Sequence, residues 1–298
     1  MDIATLLQQL INGISLGSMY ALIAIGYTMV YGVLRLINFA HADIMMVGAF
    51  ATFFAMDSLQ SGFVVATFFA IIFSILIGVL TDKVAYKPLR HSPRISLLIT
   101  AIGVSFFLEN IVNVTFGGTP KSFSVPEFFD TIINVGSTIL TPTVIIVPVV
   151  TLILLSLLLF ILYKTKYGMA IRALAFDVKT VSLMGVDANK IIMIVFIIGS
   201  SLAAVGGIFW AINYPVLTPY MGLMIGLKAF AAAVLGGIGS VSGAVLGGFI
   251  LGFTEVAVVA FFPELGAYKD AIAFIFLILV LVIKPTGIMG IDFEKSRF

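Results

Sequence analysis

The chain has 298 residues, of which 61% are apolar and only 10% are charged, whereas soluble domains hold roughly 45–50% and 25%. No soluble fold covers so much apolar surface, and a net charge of +2 gives no reason to expect nucleic acid as a partner. Cysteine is absent, which excludes disulfides, thiol catalysis and cysteine-based metal sites.

Nine apolar segments are candidate membrane crossings, because about 20 apolar residues in a helix span roughly 30 Å of hydrocarbon. They cover residues 5–34, 38–57, 62–81, 95–116, 142–162, 191–213, 223–237, 240–262 and 265–283. The predicted fold class is therefore all-α, a polytopic transmembrane helical bundle that forms a single domain over residues 1–298. The seventh segment is short, carries Lys228 and runs into a glycine-rich stretch. The alternative count is eight crossings plus one broken or re-entrant element.

The basic residues predict the orientation, because cytoplasmic loops accumulate Lys and Arg. The loops Asp82 to Arg94 and Tyr163 to Lys190 carry most of them and are placed inside. Nine crossings then put thirteen of the sixteen Lys and Arg on the cytoplasmic side, Lys295 and Arg297 among them, and leave only Lys121 and Lys269 outside. This arrangement predicts an external N-terminus and a cytoplasmic C-terminus. The residues before the first segment include no Lys or Arg, so we expect no cleaved secretory signal.

Small residues four apart predict close contacts between helices in the membrane. Three segments carry them, namely the first with Gly13, Gly17 and Ala21, the sixth with Gly199, Ala203 and Gly207, and the eighth with Gly243, Gly247, Gly248 and Gly252. We interpret them as packing positions rather than as a flexible gate.

The sequence holds no G-x-x-x-x-G-K-[ST] motif, whose backbone amides and Lys would hold the phosphates of a nucleotide. A transporter of this kind is driven by a partner ATPase or by an ion gradient, or it is a passive pore. The loop of residues 163–190 bears on this choice. Its stretch Met169 to Met184 has apolar residues near helical spacing, which predicts a short amphipathic helix that Gly185 ends. Such a helix either lies on anionic headgroups or docks a cytoplasmic ATPase.

Three stretches of the chain resemble the permease subunits of branched-chain amino-acid ABC importers. The N-terminal one runs from Gly13 to Leu22 (GISLGSMYAL) and on to Ile37 through His41 (INFAH), and the C-terminal one is Leu235 to Ser240 (LGGIGS). Between them, Gly168-x-x-x-Arg172-Ala173, followed by Leu183 to Val186, is similar to the family's cytoplasmic loop. The family usually has a glycine and then a glutamate where this chain has Ala42 and Asp43.

The resemblance implies a five-part importer in the cell (plasma or inner) membrane of a prokaryote. This chain would be one permease, and its partners would be a second related permease subunit, two cytoplasmic ATP-binding subunits and an external amino-acid-binding protein. It would be no enzyme and would need no cofactor, since ATP would be hydrolysed on the partner subunits. In such an importer the loop carrying Gly168, Arg172, Ala173 and Gly185 would be the ATPase-coupling loop.

Polar residues inside the membrane are candidate functional residues, because a charge at a helix centre costs about 2.5 to 3.5 kcal/mol on insertion scales. Asn38, His41 and Asp43 lie near the cytoplasmic start of the second segment. They either cap that helix start, where its dipole favours a carboxylate, or belong to the transport path. A metal site is not expected, because the chain has two histidines and His91 lies in a different loop.

Lys228, Glu255 and Glu109 lie about 9 to 11 Å inside the predicted outer face, at 1.5 Å of helix rise per residue. The similar depth predicts an ion pair of Lys228 with Glu255 or with Glu109. The alternative is that Lys228 extends to the headgroups alone.

Two other classes of transporter are compatible with the residues alone. One is an ion-coupled secondary amino-acid transporter, with Asp43, Glu109 and Glu255 as intramembrane carriers. A passive channel is the other, although the chain shows no filter motif. Among importers, a sugar-importer permease is the alternative to an amino-acid permease.

Overall fold

The structure is a computed structural model that describes residues 3–90, 92–135 and 138–290. His91, Lys295 and Arg297 lie outside the described residues. Helices make up most of the described chain, and the predicted all-α bundle is confirmed. A helix occurs in each of the nine predicted apolar segments.

The first half of the chain contains four long helices. These are α1 (Ile3–Leu34), α2 (Ala40–Asp57), α3 (Phe63–Leu80) and α4 (Arg94–Phe116). Helix α3 continues without a break as a π-helix, Thr81–Tyr86, and a 3-10 turn, Lys87–Leu89. A short connection follows, made of β1 (Lys121–Ser122), α5 (Glu127–Asp130), β2 (Ile133–Val135) and β3 (Thr138–Leu140).

The second half begins with α6 (Pro142–Lys164) and the two short helices α7 (Lys166–Phe176) and α8 (Val178–Leu183). The remaining elements are α9 (Ala188–Asn213), β4 (Val216–Leu217), α10 (Met221–Gly236), α11 (Val241–Phe261), a 3-10 helix at Pro263–Tyr268 and α12 (Lys269–Ile283). Strands β1 and β4 pair antiparallel, as do β2 and β3.

Seven helices of the described chain are long and apolar enough to cross a membrane. Helix α2 is not among the seven, and its sequence includes His41, Asp43 and Asp57. Helix α10 is unbroken over 16 residues, about 24 Å at the α-helical rise, which is shorter than the roughly 30 Å of hydrocarbon. The seventh predicted segment is thus short, but it has no break within Met221–Gly236.

The chain divides into two compact units, each assembled from separate stretches. The first contains residues 1–28, 125–151 and 227–298, and the second contains residues 29–124 and 152–226.

Helix α2 forms the core of the second unit, where it packs against α3, α4 and α9. Every residue from Ala40 to Thr52 is buried, including the polar His41 and Asp43. Close backbone approach needs small residues. A Cβ at Gly48 would lie 2.9 Å from Cα of Ala204, and one at Gly207 would overlap the Met45 carbonyl.

Helix α11 organises the first unit through glycines on two of its faces. Gly248 and Gly252 meet the α1 backbone at Ala21 and Gly17. On the other face, Gly247 and Gly243 meet α10 at Ala232 and Gly236. The packing interpretation of these small residues is therefore confirmed.

Candidate functional site

The predicted coupling loop folds as two helices instead of one. Helix α7 ends at Phe176 and α8 begins at Val178, so the single helix expected over Met169 to Met184 is wrong. Asp177 separates the two with extended backbone, φ −154° and ψ 110°. Asp favours helix ends over helix interiors because its side chain competes for backbone hydrogen bonds. Gly185 follows α8 with φ +83°, a left-handed conformation that glycine adopts without strain.

Helix α7 is joined to α6 through one residue, Thr165. Its Oγ1 accepts a hydrogen bond from the Gly168 amide at 3.1 Å and donates one to the Ile161 carbonyl at 2.6 Å. Gly168 lies so close to the end of α6 that a Cβ there would overlap the carbonyls of Ile161 and Leu162. This junction fixes the direction of α7 relative to the end of α6.

The loop has a buried face and an exposed face. Ile171 and Leu174 are buried, and α7 packs on α9. Arg35 donates from Nη2 to the Ala175 carbonyl at 3.1 Å. The exposed face is apolar, and its large side chains with at least 60% exposure are Tyr163, Tyr167, Met169, Phe176, Leu183 and Met184.

Arg172 and Ala173 lie in the middle of α7. Arg172 is exposed, and its guanidinium carbon lies 5.0 Å from the ring centroid of Tyr163. Ala173 is half-buried. An arginine held over an aromatic face presents its donors in a fixed direction, and the carboxylate of a partner protein is a suitable acceptor for them.

In the first unit, Lys228 is surrounded by acidic and aromatic groups. Its Nζ lies 3.1 Å from Glu255 Oε1 and 2.6 Å from Asp270 Oδ1. Tyr20 donates its hydroxyl to Glu255 Oε1 at 3.0 Å, and Lys228 Nζ is 5.9 Å from the Tyr20 ring centroid. The side chains of Lys228 and Glu255 are only 8% and 2% exposed. The structure thus places Lys228 beside Glu255, one of the two acids predicted as its partner.

Glu109, the other acid predicted to pair with Lys228, belongs to the second unit. It is 4% exposed and takes part in none of the ion pairs between described residues. Asp270 is the second residue of α12 and was missed because it directly follows Lys269, which the charge count places outside. Counted from residue 265, Asp270 is the sixth residue of the last apolar segment, as Lys228 is of the seventh, so the same depth argument applies to it.

Asn38 and Asp43 have partners on other helices of the second unit. No side chain caps the start of α2, so the capping interpretation is wrong for Asn38. Its Oδ1 accepts a hydrogen bond from the Tyr86 hydroxyl at 2.5 Å. Ser105 donates its hydroxyl to Asp43 Oδ2. All three of Asn38, His41 and Asp43 are at most 2% exposed.

Asp43 also lies against the first turn of α10. A Cβ at Gly222 would overlap Asp43 Oδ1 and would be 3.0 Å from the Ala42 carbonyl. The absence of a side chain at Gly222 therefore allows the carboxylate to approach an N-terminal helix turn, which favours an anion. Asp43 joins α2, α4 and α10 at one buried point.

A further polar cluster in the second unit follows the π-helix. Arg90 pairs with Asp82 at 2.5 Å and donates from Nη1 to Asn189 Oδ1. The cluster ties the end of α3 to the start of α9, which Asp187 caps by accepting from the amides of Asn189 and Lys190. In the sequence, Arg90 is only one of the charges of a basic loop, because the spacing of residues along the chain does not reveal its partners.

Known proteins resemble the chain over nearly its whole length. Residues 9–281 match the family model described as branched-chain amino acid transport system / permease component. The high-affinity branched-chain amino acid transport system permease proteins LivH of Salmonella typhimurium and BraD of Pseudomonas aeruginosa are 44% and 42% identical to it, with 95% of both chains covered in each case.

The fold also has a counterpart among solved structures. PsaBC from Streptococcus pneumoniae in complex with Fab superposes with a TM-score of 0.53 and 14% identity, over 96% of this chain and 94% of that one. At this identity the likeness concerns the fold alone. The identity to LivH and BraD and the family match over residues 9–281 decide the classification. The chain belongs to the family of permease components of branched-chain amino acid transport systems.

Proposed function

We propose that the chain is a multi-pass inner-membrane permease subunit that forms half of the translocation path of an ATP-binding-cassette importer for branched-chain amino acids. The observation that carries this function is the family match from residue 9 to residue 281. It is supported by relatives that are themselves branched-chain amino acid permeases. ATP is hydrolysed on partner subunits in this proposal.

The partners in the proposal are a second related permease subunit, two cytoplasmic ATP-binding subunits and an external amino-acid-binding protein. The whole chain acts as one transmembrane domain, with an external N-terminus, a cytoplasmic C-terminus and the coupling loop at residues 163–190. The exposed apolar side chains of that loop support a protein contact, since contiguous exposed apolar groups mark interaction sites.

The geometry of the loop suggests how ATPase movement would reach the membrane. In the proposal an ATPase groove holds α7 and α8, with Arg172 and Ala173 at the contact. The single-residue connection at Thr165 and the close approach at Gly168 transmit displacement of α7 to α6. The packing of α7 on α9 transmits it to a second helix. Gly185 allows the chain to turn from α8 toward α9.

The function is tested by uptake of labelled leucine, isoleucine and valine into vesicles that hold the assembled complex. We expect uptake to require ATP and the ATPase subunits and to persist when the proton and sodium gradients are collapsed. Uptake that stops with the gradients and continues without the ATPases would assign the chain to the ion-coupled transporters. Uptake of ribose in place of the amino acids would assign it to the sugar permeases.

Arg172→Glu tests the docking role of the loop. Because the substitution reverses an exposed charge, we expect normal insertion but a loss of ATPase copurification or of ATP-coupled uptake. Lys284→Glu is the matched control, since Lys284 is also exposed and expected on the cytoplasmic side but lies outside residues 163–190. Normal assembly and uptake by Arg172→Glu would remove Arg172 from the contact.

A further inference from the structure

The second unit contains an apolar crevice of about 530 Å³ between α2, α3 and α4. This volume falls in the range of about 300 to 1,000 Å³ that is common for ligand sites. The most prominent lining side chains are Phe50, Phe54, Phe69, Phe73, Phe107 and Ile111. Among the described residues that line it, the only polar side chains are those of Thr81 and Thr115. A polar ligand would therefore find almost no hydrogen-bond partners there.

The crevice follows one face of α3 into the π-helix. Its lining residues Phe69, Phe73, Ile77, Leu80 and Val84 succeed one another at intervals of three or four, the spacing of a single helix face. From Phe69 to Val84 the backbone advances about 22 Å at the α-helical rise. That length exceeds the roughly 15 Å of hydrocarbon in one leaflet, so the crevice accommodates an acyl chain lengthwise.

One end of this face is basic. Lys87 continues the spacing three residues after Val84, and Lys83 directly precedes Val84. Both lysines are exposed, and neither forms an ion pair with another described residue. Arg90 differs, because its Nη2 lies 2.5 Å from Asp82 Oδ1 and the carboxylate neutralises its charge. The apolar face thus ends at two cations that have no acidic partner among the described residues.

We propose that the crevice binds one anionic phospholipid, with an acyl chain along the α3 face and the phosphate at Lys83 and Lys87. An amphiphile with a long apolar chain and an anionic head has the charge and shape of this surface. Helix α3 also exposes apolar side chains beside the crevice, with Phe68 63% and Ile72 67% exposed. Because α3 belongs to a candidate membrane span, we expect these side chains to contact lipid, so a lipid would reach the crevice by lateral diffusion.

The experiment measures contact between the crevice and phospholipids brominated on their acyl chains, which quench tryptophan fluorescence. The chain has a single tryptophan, so Trp210→Phe gives a silent background in the full-length protein. Leu80→Trp reports from the crevice, where Leu80 is 45% exposed. Phe160→Trp is the matched control, since Phe160 is 59% exposed on α6, one turn before Lys164.

The vesicles contain a small fraction of brominated phosphatidylglycerol or brominated phosphatidylcholine. We expect a stronger preference for phosphatidylglycerol in the quenching at Leu80→Trp than at Phe160→Trp, which lies near Lys164 but does not line the crevice. Lys83→Gln and Lys87→Gln should each reduce the preference about fivefold, because a basic residue near an anionic surface contributes on the order of 1 kcal/mol. Lys164→Gln with Lys166→Gln should leave it unchanged.

Three results would overturn the proposal. Equal quenching at both positions by both lipids would make the crevice ordinary lipid-facing surface. A preference for phosphatidylglycerol at Leu80→Trp that persists when both Lys83 and Lys87 are replaced by Gln would show that the headgroup does not bind at these lysines. Absence of quenching at Leu80→Trp in the assembled complex, with quenching at Phe160→Trp intact, would also reject the lipid and show that a partner subunit covers the crevice.

Discussion

At the scale of single residues, the Lys228 ammonium lies beside two carboxylates that differ in burial. Glu255 is 2% exposed and hydrogen-bonded by Tyr20, whereas the Asp270 side chain is 34% exposed. The pair with Glu255 is the buried one, and it is the one whose disruption should be costly. Removing one member of a buried pair leaves a charge without compensation.

Lys228→Met should therefore lower the free energy of unfolding of the purified protein by about 3 to 5 kcal/mol, the usual cost of breaking a buried pair. Adding Glu255→Gln should restore part of the loss, because it removes the stranded charge. Lys190→Met is the control, since its ion pair with Asp187 is exposed and contributes little. A nearly silent Lys228→Met, with no rescue by the second change, would show that the contact has no structural importance.

Asp43→Glu tests the close contact between α2 and α10. The Asp43 carboxylate already lies against Gly222 and accepts from Ser105, so one added methylene should overpack the contact and cost about 1 to 3 kcal/mol. Asp43→Asn keeps the volume and removes the charge. A comparison of the melting temperatures of the two variants separates the effect of side-chain size from the effect of charge. If Asp43→Glu melts no lower than the parent protein, the site has room that the structure does not show.

At the scale of elements, the junction of α6 and α7 is a tightly packed part of the proposed coupling loop. Gly168→Ala would force a methyl group onto the carbonyls of Ile161 and Leu162. We expect it to displace α7 and reduce ATP-coupled uptake at least as strongly as Arg172→Glu. Gly103→Ala is the control, because nothing lies within 4 Å of the added methyl group. Equal uptake by both variants would show that the direction of α7 is not important for coupling.

Helix positions were predictable from sequence, whereas most polar partners were not. Segments 142–162 and 240–262 match α6 and α11 within two residues at each end, because the length of an apolar run reports the hydrocarbon thickness. Lys228 and Glu255 could be matched by depth. The bond between Asn38 and Tyr86 joins residues 48 positions apart, and it depends on helix packing that hydropathy does not describe. The break at Asp177 was missed because periodicity extends across it.

At the scale of the whole molecule, the distribution of Lys and Arg predicts the orientation in the membrane. The chain contains no cysteine, so single introduced cysteines report without background. Thr119→Cys should react with an impermeant thiol reagent from outside, and Leu183→Cys, at a position 89% exposed, only from the cytoplasmic side. Reaction of both from the same side would exclude the topology with nine crossings.

The π-helix at Thr81–Tyr86 accommodates one more residue than an α-helical turn of the same length. π-Helical turns are rare and recur at functional sites. Deleting one residue from this turn would return it to α-helical geometry and leave the chain beyond it in nearly the same orientation. Winding all of its residues as an α-helix would instead rotate that chain by about 100°, and Arg90 and the lysine at position 87 would then point elsewhere. The turn thus sets the angular phase between the membrane segment and the basic loop, so alignments of related chains that lack one residue here should place the gap within it.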